Sequence, residues 1–70
     1  MPSGHYKSIS ELAAFIDEEL KEGRSTREYF YYHALRKWGL GEKVVNKIID
    51  SGIAVRAFKV DAQGLIERYK

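Results

Sequence analysis

The chain has 70 residues, no cysteine, 12 Lys/Arg, 10 Asp/Glu and a formal net charge of +2. That length lies near the lower limit for a lone hydrophobic core, and no disulfide or thiolate metal site can supplement it, so one small domain is expected. No apolar run approaches the roughly 20 residues needed to cross a bilayer, and the opening MPSGHYK lacks the apolar core of a signal peptide, which implies a soluble cytoplasmic protein.

The charge is unevenly placed. Residues 1–22 set Lys7 and Lys21 against five acids, for −3, and residues 23–70 set ten Lys/Arg against five acids, for +5. A basic body behind an acidic first segment points to a polyanion partner on one side; a solvated surface of uneven charge is the plainer reading.

Residues 1–7, with Pro2, Ser3 and Gly4 and no periodicity, read as a mobile tail, and the domain as 8–70. Ser8 and Glu11 have the spacing of a capping box that would start the first helix. Ile9, Leu12, Ala13, Ile16 and Leu20 follow as one apolar stripe, with Phe15 at its flank, and Gly23 supplies a stop.

A second capping box, Ser25 with Glu28, predicts a helix to Trp38 with Phe30, Tyr31, Ala34, Leu35 and Trp38 on its core face. Tyr29, Tyr32, His33, Arg36 and Lys37 then point outward. Gly39-Leu40-Gly41 breaks the chain before a third helix over 42–51, with Val44, Val45, Ile48 and Ile49 inside and Lys43, Asn46, Lys47 and Asp50 outside. Two amphipathic helices joined by so short a turn share a core in a helix-turn-helix layout.

After Gly52 the apolar period falls from 3.6 to 2, which predicts strands over 53–60 and 65–70. Asp61-Ala62-Gln63-Gly64 suits a type I turn closed by a left-handed glycine. That reading sets Val60 opposite Leu65, Phe58 opposite Glu67 and Arg56 opposite Tyr69. Phe58, Val60, Leu65 and Tyr69 form the packed face, and Lys59 and Arg68 the open one. Ile66 and Val55 also fall on the open face unless a bulge moves them.

This order, with Gly39 in the turn and Val45 and Ile48 six and nine residues later, resembles the winged helix-turn-helix DNA-binding family. The fold implied is α+β: three helices and a C-terminal β-hairpin wing. The family's pattern has alanine four residues before the glycine; here that place is Leu35, with Ala34 beside it, so either the helices are splayed or the register moves by one.

What the resemblance implies is double-stranded DNA binding, as a transcriptional regulator, with the third helix in the major groove. By position, Lys43, Asn46 and Lys47 would face the groove, with asparagine able to read adenine bidentately. Ser25, Thr26 and Arg27 would sit near a phosphate, as would Lys59, Gln63 and Arg68 on the wing. Asp50 either accepts from cytosine or lies beyond the groove.

Dimerisation on paired half-sites would raise affinity, so a homodimer is a natural partner arrangement. The outward Tyr29 and Tyr32 suit packing against a second subunit or a neighbouring loop better than stacking on single strands. The rival class is a protein-interaction module that works through the acidic first helix and these tyrosines; a binder without sequence preference is a third.

His5 and His33 complete no zinc set, and the two capping boxes account for Ser8, Ser25, Glu11 and Glu28. No phosphate loop or nucleophile motif appears, so neither an enzyme nor a cofactor or small-molecule ligand is expected.

Overall fold

The computed structural model describes the backbone of residues 3–69 and the side chains of residues 7–69. In chain order the elements are α1 (Ser3–Glu22), α2 (Arg27–Trp38), α3 (Glu42–Ala54), β1 (Phe58–Val60) and β2 (Ile66–Arg68). Three helices are followed by a two-stranded antiparallel hairpin, an α+β arrangement.

α1 begins five residues before the expected Ser8, so residues 3–7 continue the helix rather than forming a tail; residues 1 and 2 lie outside the described chain. Ser8 is therefore interior and caps nothing. Glu11 instead accepts a hydrogen bond from the Trp38 indole at 2.9 Å, tying α1 to the end of α2. Leu12, Ile16 and Leu20, each four residues apart, form the buried stripe, while Ile9 is exposed.

The cap of α2 also moves. Thr26, not Ser25, is the N-cap, in extended conformation with Oγ1 accepting from the Tyr29 N–H at 3.2 Å. Ser25 is used otherwise: its backbone exchanges both hydrogen bonds with Ile66, at 3.0 and 2.7 Å, as an antiparallel bridge. That bridge fastens the α1–α2 connection to the hairpin. Gly39, at φ 66°, ends α2, and the next N–H, of Leu40, donates to Ala34 at 3.1 Å.

The core face of α2 is Phe30 and Ala34. Tyr31 and Trp38 pack at its edge, half-buried, and Leu35 is 63 % exposed, which corrects its assignment to the core. Ala34 thus takes the inner place that the helix-turn-helix spacing would give to residue 35.

α3 runs three residues past the expected 51. Val45 and Ile49 are fully buried, and Ile53 extends their four-residue spacing, so its β-branched side chain serves a helix and not a strand. The helix stops where Arg56 adopts φ 63°: the Arg56 N–H donates to Ile53 at 3.1 Å and the Ala57 N–H to Gly52 at 2.8 Å. The strand expected over 53–60 is thereby reduced to Phe58–Val60.

The hairpin closes at Asp61 and Gly64 as expected, with the Gly64 N–H on the Asp61 carbonyl at 3.0 Å and Gly64 at φ 87°. Its register differs by one residue. The Asp61 N–H donates to Leu65 at 3.0 Å, so those two close the ladder and the pairs are Val60 with Ile66, Lys59 with Glu67 and Phe58 with Arg68. A left-handed bulge glycine occupies one place of its own. The shift carries Ile66 into the core, fully buried, and leaves Tyr69 47 % exposed.

Phe30, Leu12, Ile16, Ile49, Ile66 and Val45 are the largest fully buried side chains, drawn from all three helices and β2. Each contributes about 1.5–3 kcal/mol on leaving water. Among the described residues no helix is long and apolar enough to cross a membrane.

Candidate nucleic-acid interface

The outer face of α3 carries Lys43 and Lys47, one helical turn apart and both exposed. Neither has an ion-pair partner among the described residues. Gly41, the N-cap of α3, offers no side-chain hydrogen bond to the first turn. Glu42 stands in that turn, where a carboxylate meets the positive end of the helix dipole.

Asn46 is not free in the way its position suggests. Its Oδ1 accepts from Arg27 Nη1 and from Tyr31 Oη, both at 2.7 Å, and the residue is half-buried. Bidentate reading of adenine needs the amide oxygen and nitrogen together. With the oxygen held by two internal donors, Asn46 works as a clamp between helices.

Arg27 completes the clamp. Its Nη2 donates to Asp50 Oδ1 at 3.0 Å. Arg27 and Tyr31 stand four residues apart on α2, facing Asn46 and Asp50 four apart on α3, so the pairs meet along matching helix faces. The charge of Arg27 is thus spent within the fold, and the charge of Asp50 is neutralised beside Lys47.

The hairpin side chains divide similarly. Arg68 Nη1 lies 3.4 Å from Asp17 Oδ1 on α1, because the shifted register turns it toward that helix and not to the open face. Lys59 is exposed, with Nζ 5.6 Å from the centre of the Tyr69 ring. Gln63 is exposed at the turn, where its N–H donates to Asp61 Oδ1 at 2.9 Å.

Asp61 Oδ1 also accepts the Leu65 N–H at 2.9 Å, and Arg24 lies 3.5 Å from Oδ2. These contacts, the Leu65 amide first, hold the Asp61 carboxyl below its ordinary value. Ser25 and Thr26 are engaged within the fold, as bridge and cap.

One basic residue escaped the sequence reading. Arg56 is exposed between α3 and β1 in a left-handed conformation that few non-glycine residues adopt. Its signal was hidden because Gly52, four residues earlier, looked like the end of the helix. Lys43, Lys47, Arg56 and Lys59 are all exposed.

On the α1–α2 side, Phe15 gathers Tyr29, Phe30, His33 and Trp38 within 6.4 Å between ring centres, and Lys37 Nζ lies 4.5 Å over its ring. Tyr29 Oη donates to Glu19 at 3.0 Å, which raises the phenol above its usual value. Tyr29 and Tyr32 both face outward as expected, at 38 % and 57 % exposed, but the Tyr29 hydroxyl is engaged within the fold. Family models, curated proteins and solved structures provide no match to this chain.

Proposed function

We propose that this domain is a winged helix-turn-helix module that binds double-stranded DNA, as a transcriptional regulator, through α3 with the hairpin as its wing. The observation that carries this reading is the pair Lys43 and Lys47. They stand exposed on one face of α3 with no ion-pair partner among the described residues, while Asp50 of the same helix is tied to Arg27.

Lysines so placed bind phosphate oxygens and release counterions, which gives affinity before any base is read. In this reading Lys59 on the hairpin and Arg56 at its foot, both exposed, add further phosphate contacts. Asn46, Arg27 and Arg68 serve to set the helices and the wing rather than to touch DNA. The reading therefore assigns phosphate contacts to α3 and takes no base-specific contact from Asn46.

A labelled duplex titrated with the protein at low and near-physiological salt tests this. Binding that weakens steeply with salt is expected. Absence of binding at both concentrations would transfer the protein to the rival class, an interaction module working through the acidic α1.

A further inference from the structure

The face of α2 opposite its buried Phe30 and Ala34 takes no part in the proposed DNA contact. It carries Glu28, Tyr32, Leu35 and Arg36, all exposed, with Tyr32 at 57 % and Leu35 at 63 %. Beside them a shallow groove of about 180 Å³ is lined by Tyr31, Tyr32, Leu35, Leu40, Gly41 and Glu42. A large aliphatic and an aromatic residue this open to water, side by side on a helix, form an apolar patch that burial would stabilise.

The charges at the ends of the patch say what would cover it. Glu28 lies one turn before Tyr32 and Arg36 one turn after, about 6 Å along the axis in each direction. Among the described residues neither has an ion-pair partner. The Arg36 guanidinium instead lies 5.3 Å from the Tyr32 ring centre. Acid, aromatic, base in even steps is self-complementary under a two-fold axis.

Two α2 helices placed antiparallel with that axis at Tyr32 set Glu28 of each copy against Arg36 of the other. The two Tyr32 rings meet at the centre, and each Leu35 packs beside them. A residue pairing with its opposite number and the reverse is what an isologous contact requires.

We infer that this face of α2 is the interface of a homodimer of this chain, built on reciprocal Glu28–Arg36 pairs around Tyr32 and Leu35. The inference does not rest on DNA binding. One face of a 12-residue helix buries less than a standard interface, so the dimer is a reversible one that forms at high protein concentration.

Charge reversal tests it without nucleic acid. Sedimentation equilibrium of the parent up to about 1 mM should give a monomer–dimer equilibrium. Glu28→Arg alone and Arg36→Glu alone each place like charges together twice, and each should weaken the dimer about tenfold or more. Mixed in equal amounts, the two variants regain both attractive pairs and should associate as strongly as the parent.

Leu35→Glu, a second kind of variant, should abolish the dimer; unchanged melting curves would show that all three variants remain folded. A parent that stays monomeric at the highest concentration overturns the inference. So do single reversals that dimerise like the parent, or a mixture that fails to recover.

Discussion

The ring of Phe58, at the start of the hairpin, lies directly on the backbone of Gly52 inside α3. A Cβ at residue 52 would stand 2.5 Å from Cε2 of that ring and closer still to Cδ2. The glycine is there to let the hairpin approach the helix, not to end the helix. Gly52→Ala would ordinarily favour a helix by about 1 kcal/mol. Here the clash should reverse the sign and leave the variant less stable by about 1–2 kcal/mol. In a Phe58→Ala background the same change should turn stabilising. Denaturant unfolding of the four proteins measures this coupling.

Asn46 gives a second prediction. Its truncation to alanine leaves Arg27 Nη1 and Tyr31 Oη without their acceptor in a half-buried place, at a cost of about 1–3 kcal/mol. Asn46→Asp keeps an oxygen in position and should lose much less. If Asn46→Ala unfolds at the same denaturant concentration as the parent, the clamp does not hold α2 to α3.

Asp61 makes the hairpin sensitive to acid. Its carboxyl is held below the ordinary 3.8, chiefly by the Leu65 N–H, so the fold favours the charged form. The stability it contributes is complete above that ordinary value and is lost as pH falls through the lower folded value. Asp61→Asn should therefore be less stable than the parent near neutrality, and the gap should close in acid. Thermal melts of both proteins from neutral pH down to about pH 2 follow it. A gap that stays constant with pH would place the effect of Asp61 elsewhere.

The helix, helix, helix, hairpin order was legible because apolar period and glycine position both speak for it. What failed to read has particular causes. Ser8 and Glu11 have capping spacing, but three residues is also an ordinary interval within a helix, so α1 started too late. Ile53 and Val55 looked like strand because they are β-branched, whereas Ile53 merely continues the stripe of Val45 and Ile49.

In the hairpin, the turn was recognised while the place taken by Gly64 was not counted, and one residue of slip exchanged Ile66 for Leu65 and Tyr69. Lys43, Lys47 and Lys59 are exposed, as their places in the sequence suggest. Asn46, Arg27 and Arg68 carry the residue types of a DNA surface, but their partners Tyr31, Asp50 and Asp17 lie on other elements. Only the packed fold brings those groups together.

The most direct test of the account compares the parent with a Lys43→Ala/Lys47→Ala variant, each titrated onto one duplex across a range of salt. Each phosphate contact removed should lower the salt slope by about one unit, so the double variant should bind more weakly and show a slope flatter by up to about two. Its melting curve should match that of the parent, since both lysines are exposed. Equal affinity and equal slope for the two proteins, or no binding by the parent near physiological salt, would contradict the assignment of α3 to DNA.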